Sequence, residues 1–230
     1  MKIIVVGLGT FGSSIATKLT LRGNEVIGID NDINKVEYYK EKISHTIRMD
    51  ATDEITVAGL PLKDTDIVIV AIGENQGVNV MVSALFKNFK VKRLISRSIN
   101  LLHEKVLTAI GVDDIARPEQ ETAERWAKKL CLQGVLDSFE LTKDFSIVEA
   151  DVPQKYINRT IGEINLREKY QLLILTILKK EEVETVIGQT QTATKAQGVP
   201  SSNYVLKKED ILVLYGSNSD IQQFLKVRLG

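Results

Sequence analysis

The apolar residues of the first half of the chain come in short unbroken blocks. Ile3-Ile4-Val5-Val6, Val26-Ile27-Gly28-Ile29 and Ile67-Val68-Ile69-Val70 carry almost no polar alternation. Runs of this length without alternation read as strands buried on both faces, as in a parallel sheet. Strands are expected at Ile3–Val6, Val26–Ile29, Thr46–Arg48, Ile67–Val70, Arg93–Ser96 and Asp114–Ala116. Between them the apolar positions recur at helical spacing, over Gly12–Arg22, Ile33–Glu41, Glu54–Ala58, Val78–Phe89 and Leu101–Ile110. Repeated strand–helix units of this size imply an α/β doubly wound parallel sheet.

After Pro118 the pattern changes. Glu119–Leu132 reads as one more helix, with Ala123, Trp126, Ala127 and Leu130 on one side and Gly134 at its end. Leu136–Leu141 and Ser146–Val152 read as strands joined by a turn at Lys143-Asp144. Thr160 to Ile164 resembles a short capped helix, and Leu172–Leu178, Thr185–Ile187 and Ile211–Tyr215 read as further strands. Ser217 is placed to cap a last helix reaching Leu229. Gln189–Asn203, rich in Gln, Thr, Ala, Ser and Gly, reads as a mobile hairpin loop. The expected organisation is a parallel-sheet domain over 1–117, a crossover helix over 118–134, and a small α+β domain over 135–230.

The first strand runs directly into Gly7-Leu8-Gly9-Thr10-Phe11-Gly12, and the second ends in Asp30. In a Rossmann unit that order has a physical meaning. Gly7 permits the tight turn, Gly9 the approach of backbone to a pyrophosphate, and Gly12 the packing of helix on strand. The helix N-terminus offers free N–H groups to phosphate. Asp30 accepts hydrogen bonds from a ribose diol, which suits NAD or ATP and disfavours a 2′-phosphate. Asp50-Ala51-Thr52-Asp53 follows the third strand, where ligand-lining loops lie; Asp50 and Thr52 read as adenosine contacts, while Thr52 or Asp53 also suits a helix cap. Ala71-Ile72-Gly73-Glu74-Asn75 follows the fourth strand, with Gly73 near a base or ribose or in an ordinary turn, and Asn75 as a cap. Arg97 closes the fifth strand, where a guanidinium reaches a phosphate or forms a surface ion pair.

The 230 residues are 43% hydrophobic and 26% charged with a formal net charge of zero, an ordinary globular composition. General nucleic-acid or anionic-membrane binders are more basic, so neither is favoured. No apolar run is long enough to span a bilayer, and Met1-Lys2 leads into a strand, so a cytoplasmic location is expected. Cys131 alone excludes an intrachain disulfide and a cysteine-based zinc site. Tyr38 and Lys42 have the Tyr-x-x-x-Lys spacing of some reductases but lie on a helix away from the substrate side. His45 and His103 stand in no metal spacing and beside no nucleophile.

Taken in order, the glycine loop, Asp30, Asp50-Ala51-Thr52-Asp53, Ala71-Ile72-Gly73, Ile110-Gly111-Val112-Asp113 and Pro118-Glu119 resemble the RCK family of potassium-conductance regulators. The likeness is strongest to the regulatory subunits of bacterial Trk/Ktr potassium uptake systems. Phe145-Ser146-Ile147-Val148-Glu149, Asn165-Leu166-Arg167-Glu168-Lys169-Tyr170 and Glu209 to Gly216 extend it through a C-terminal RCK subdomain. The resemblance implies a non-enzymatic subunit that gates a membrane potassium-translocating partner. It also implies a homodimer assembled into an octameric ring, peripheral at the inner face of the cell membrane. The implied ligands are NAD(H) or ATP/ADP, cyclic di-AMP in the C-lobe, and a cation near the nucleotide phosphates.

Carried over by position, the nucleotide contacts are Gly7, Gly9, Thr10, Phe11, Gly12, Asp30, Asn31, Asp50, Ala51, Thr52, Ala71, Ile72, Gly73 and Arg97. The cation ligand is Glu119. Ile161, Ile164 and Arg167 match a cyclic-dinucleotide site, with core packing the slightly preferred role for the two isoleucines. The chain departs from members that separate ATP from ADP with an arginine in the glycine loop, because Thr10 stands there. An NAD-dependent oxidoreductase using the same loop is the alternative; against it, the second domain supplies no acid–base pair and only about 95 residues for a substrate pocket.

Overall fold

A computed structural model describes residues 1–131, 134–184 and 190–226. The chain divides into two compact units, Met1–Glu121 and Thr122–Gly230.

In the first unit the strands are β1 (Lys2–Val6), β2 (Glu25–Asp30), β3 (His45–Arg48), β4 (Ile67–Val70), β5 (Leu94–Arg97) and β6 (Asp114–Ala116). They alternate with helices α1 (Thr10–Leu21), α2 (Ile33–Tyr39), α3 (Glu54–Ala58), α4 (Gln76–Asn88) and α5 (Leu101–Ile110). The sheet order is β3-β2-β1-β4-β5-β6, every pair parallel. Side chains alternate across β1: Ile3 and Val5 enter one core with Val26, Ile69 and Ala16, and Ile4 and Val6 enter another with Ile29, Val68 and Phe86. Both faces are therefore covered, as the unbroken apolar runs require. Successive strands go outward in opposite directions from β1 and β4, so a crevice opens at the carboxyl ends of that pair.

The helix α6 (Pro118–Cys131) contains the division between the units. The second unit continues with β7 (Val135–Glu140), β8 (Phe145–Asp151), a 3₁₀ turn at Gln154–Tyr156, α7 (Ile161–Ile164), α8 (Leu166–Tyr170), β9 (Leu173–Glu184), β10 (Thr190–Ala196), β11 (Ile211–Ser217) and α9 (Asn218–Leu225). Its antiparallel sheet runs β10-β9-β11-β8-β7. One face is packed: Val148, Ala150, Leu212 and Leu214 meet Ile164, Leu166, Ile221 and Phe224. On the alternate positions Phe139 and Phe145 remain exposed. Thr160 and Glu163 form a reciprocal capping box on α7, and Ser217 caps α9 by accepting from the Asp220 N–H.

One expectation fails. Within Gln189–Asn203, residues 190–196 are not loop but strand β10, paired with β9 from Thr190↔Glu184 to Ala196↔Leu178. The composition that suggested a loop is also one of alternate β-branched threonines, which suits an edge strand needing no buried side. β9 runs six residues past the expected Leu178, and this extension is paired with β10. The helix expected over Ile33–Glu41 ends at Tyr39. The last helix, expected to reach Leu229, ends at Leu225. Thr185–Ile187 and residues 227–230 lie outside the described residues.

Candidate functional site

The β1–α1 loop is built by steric necessity at two positions. Gly7 has φ +93°, and a Cβ there would also stand 3.1 Å from Ile72 Cγ1. A Cβ on Gly12 would collide with the Gly7 carbonyl, so only glycine lets α1 lie this close to β1. Gly9 is the N-cap of α1 and makes no side-chain cap. A Cβ at Gly9 would meet nothing within 4 Å, so this end of the helix faces open space.

That space is a cavity of about 600 Å³ at the carboxyl ends of the strands. Gly7, Gly9, Thr10, Asp30, Asn31, Asp50, Ala51, Ala71, Ile72, Gly73, Arg97 and Glu119 all line it. Phe11, Gly12 and Thr52 do not. Phe11 instead packs against the core, with the Arg97 guanidinium 5.9 Å over its ring. Gly12 serves the helix–strand contact. Thr52 donates to Asp50 Oδ1 from both its N–H (2.9 Å) and its hydroxyl (2.7 Å). The hydroxyl bond first, then the backbone bond, holds the Asp50 carboxyl below its ordinary range, so Asp50 keeps its charge at the cavity wall. Asp53 caps α3 and Asn75 caps α4, each by accepting a backbone N–H.

Asp30 is only 7% exposed. Its Oδ2 accepts the Leu8 N–H at 2.7 Å and its Oδ1 accepts the Asp32 N–H at 2.9 Å. The carboxylate thus pins the glycine loop as well as facing the cavity. Lys35 Nζ lies 3.8 Å from it and also lines the cavity. Arg97 forms an ion pair with Glu119, and its guanidinium lies so close over Gly73 that a Cβ there would collide with it. Its Nε is buried with no hydrogen-bond partner. The wall therefore offers one arginine, one lysine, a helix N-terminus and a buried carboxylate. Backbone N–H groups and a cation suit phosphate, and an acceptor suits a diol.

Three contributors were not singled out from the sequence. Lys35 follows no motif; only its place on the first turn of α2 brings it to Asp30. Glu74 lines the cavity beside Gly73. Asn79, 0% exposed on α4, hydrogen-bonds the carbonyls of Ile72 and Arg97. A polar residue within a helix's apolar stripe was the one available signal. Tyr38 is exposed with Lys42 Nζ 3.7 Å over its ring, a solvated face as expected. Neither histidine lines the cavity. In the second unit Ile164 is 1% exposed and belongs to the core, Ile161 is half-buried against that core, and Arg167 is exposed. The preferred packing role therefore holds for Ile164, which presents no surface to a ligand.

Among the described residues no helix is long and apolar enough to cross a membrane. The chain matches the TrkA-N domain over residues 3–118 and the TrkA-C domain over residues 145–228. It is 36% identical over 222 residues to the Ktr system potassium uptake protein C of Bacillus subtilis (strain 168), across 96% of this chain and 95% of that protein. It is 31% identical over 220 residues to the Ktr system potassium uptake protein A of the same organism, across 96% and 93%. Among solved structures, the GsuK RCK domain is similar with a TM-score of 0.66 at 18% identity, over 98% of this chain and 48% of that one. The GsuK channel bound to NAD gives 0.64 at 17%, over 97% of this chain and 38% of that one. These two show a shared fold. The matched domains and the two Bacillus relatives place the chain in the family of Ktr and Trk potassium uptake proteins, a TrkA-N domain followed by a TrkA-C domain.

Proposed function

We propose that this chain is a nucleotide-sensing regulatory subunit that controls a membrane potassium-translocating partner. The relatives named for potassium uptake supply the system. One observation carries the ligand: the glycine loop, Asp30 and Arg97 converge on a single cavity at the β1/β4 switch. An adenine nucleotide, ATP/ADP or NAD(H), fits that donor set. The N–H groups at the start of α1 and the Arg97 guanidinium take phosphate, and Asp30 takes the ribose. Asp50 and Gly73 border the adenosine end. The carboxylate of Asp30 works against a ribose that carries a 2′-phosphate.

The role asks for binding, not turnover. Two geometries of a homodimer, within a larger ring, compete, and the nucleotide shifts their populations by its differential affinity. That shift biases the partner at the inner face of the membrane. Among the described residues no cluster of three or more His, Cys, Asp or Glu is placed to hold a metal ion. A cation at Glu119 therefore needs further ligands from nucleotide phosphate or a second copy. Ile161 and Arg167 are the accessible remainder of the cyclic di-AMP positions. An oxidoreductase on the same cavity lacks a histidine there.

The test is potassium flux into vesicles carrying the membrane subunit, with this chain added on the cytoplasmic side. Flux should change on adding ATP, ADP or NADH and stop changing with Asp30→Ala. Flux indifferent to this chain at saturating nucleotide overturns the reading.

A further inference from the structure

Asn79 does not line the cavity, yet its amide joins two segments that do. It is fully buried on α4, beside Val82 and Phe86, which are also fully buried. An unpaired amide at that depth costs several kcal/mol, so its bonding is informative. Nδ2 donates to the Ile72 carbonyl at 2.9 Å and to the Arg97 carbonyl at 3.2 Å. Oδ1 accepts the Ser96 hydroxyl at 3.0 Å, and Ser83 Oγ stands 3.0 Å from Ser96 Oγ. Ser83 Oγ also lies 3.5 Å from Asn79 Oδ1, so the two hydroxyls supply one proton to Oδ1 and one to the bond between them, and Asn79 spends both N–H groups on the two carbonyls.

Those carbonyls occupy a particular place. The β4–β5 ladder pairs Val68↔Leu94, Ile69↔Ile95 and Val70↔Ser96 and stops there. Ile72 lies two residues past the end of β4, and Arg97 is the last residue of β5, still paired with Ala116 of β6 on its other side but no longer with β4. The amide continues the ladder by one rung made from a side chain. It therefore ties the backbone before Gly73 to the backbone of Arg97, whose guanidinium lies over Gly73.

We propose that Asn79 is a positioning residue of the ligand cavity, holding the Arg97 guanidinium over Gly73 where an anionic ligand group meets it. The ligand part rests on the nucleotide reading above; the placement of Arg97 does not. A fully satisfied polar cluster in an apolar layer specifies one arrangement, which a leucine of the same branched shape does not.

Two measurements on Asn79→Leu test this. The first is exchange of the Arg97 Nε–H with water, followed by ¹⁵N NMR in the ligand-free protein. That hydrogen is buried in the unmodified chain, and its exchange should accelerate at least tenfold. The second is calorimetric titration with AMP and with adenosine. AMP affinity should fall about tenfold and adenosine affinity should stay within twofold. In an Arg97→Ala background Asn79→Leu should then add nothing to the loss. Unchanged Nε–H exchange, equal losses for AMP and adenosine, or additive losses would each overturn the proposal. If the unmodified protein binds neither AMP nor adenosine, the titration is repeated with ADP; if it binds no adenine nucleotide, the nucleotide reading fails, and the exchange rate alone decides the role of Asn79. If Asn79→Leu does not fold, Ser96→Ala removes one support of the amide, and the same exchange should accelerate about threefold; no change there is equally fatal.

Discussion

Replacing Asp30 by alanine removes two things at once, and the structure gives a size to each. The carboxylate accepts the Leu8 N–H in a buried site and the Asp32 N–H in a half-buried one. A hydrogen bond to a charged group contributes about 1.5–3 kcal/mol, and the Leu8 N–H left in the interior has no water to replace it. The Asp32 N–H is partly rehydrated, so it adds only about 0.5–1 kcal/mol. Lys35 stands 3.8 Å away with 38% of its side chain exposed, a pair contributing at most about 1 kcal/mol. Asp30→Ala should therefore cost about 2–5 kcal/mol of stability, a large share of the usual margin of about 5–15 kcal/mol. Urea unfolding followed by circular dichroism should show a lower midpoint at unchanged slope. Amide exchange at Leu8 should lose its protection. In the fraction that stays folded, adenine nucleotide affinity should drop by about 1.5–3 kcal/mol for the lost ribose contact. A stability loss under about 1 kcal/mol, with Leu8 still protected, would refute the view that this carboxylate holds the loop.

Gly12→Ala should lower stability by about 3 kcal/mol or more in the same assay, because the colliding atom is the Gly7 carbonyl and no rotamer relieves it; a melting temperature within 2 °C of the parent (about 0.5 kcal/mol) would contradict this close approach. Burial holds the His103 imidazole below its ordinary range, and both ring nitrogens are buried without a hydrogen-bond partner. The unfolded chain therefore takes up a proton as pH falls below about 6.5 while the folded chain does not, and stability should decline by up to about 1.4 kcal/mol per pH unit from there. His103→Gln should flatten that stretch of the profile, and an unaltered slope would exclude His103 as its source. ATP and ADP should bind within about tenfold of each other, since the Thr10 hydroxyl bonds a phosphate but does not neutralise it, and Thr10→Arg should widen the gap in favour of ATP; a strong ATP preference in the unmodified protein would count against this. Light scattering at micromolar concentration should give a dimer or larger species, weakened by Trp126→Asp, because Trp126 and Leu130 are 53% and 77% exposed on one side of α6; a clean monomer would tell against assembly through this helix.

The parallel sheet was legible because a strand covered on both faces needs an unbroken apolar run, and β1, β2 and β4 have one. Gly7 and Gly12 were legible because their reasons are steric and local. What the sequence hid was long-range. Lys35 reaches Asp30 only through the angle at which α2 leaves β2. Asn79 looks like an error in an apolar stripe until the ends of β4 and β5 are seen beside it. Thr52 lies two residues after the cavity-lining Asp50 but turns its hydroxyl back to that aspartate. Strand β10 is hidden for a different reason: an edge strand needs no apolar side, so its alternating threonines carry a loop-like composition.

The central claim is that the cavity at the β1/β4 switch takes an adenine nucleotide and acts by binding it. Calorimetric titration of ATP, ADP and NADH into the unmodified chain and Asp30→Ala tests it most directly, with the nucleotide recovered afterwards for identification. The account predicts saturable binding of at least one of them at one site per chain, at least tenfold weaker in Asp30→Ala, with the nucleotide recovered intact. Absence of binding by all three, affinity unaffected by Asp30→Ala, or steady conversion of the nucleotide would contradict it.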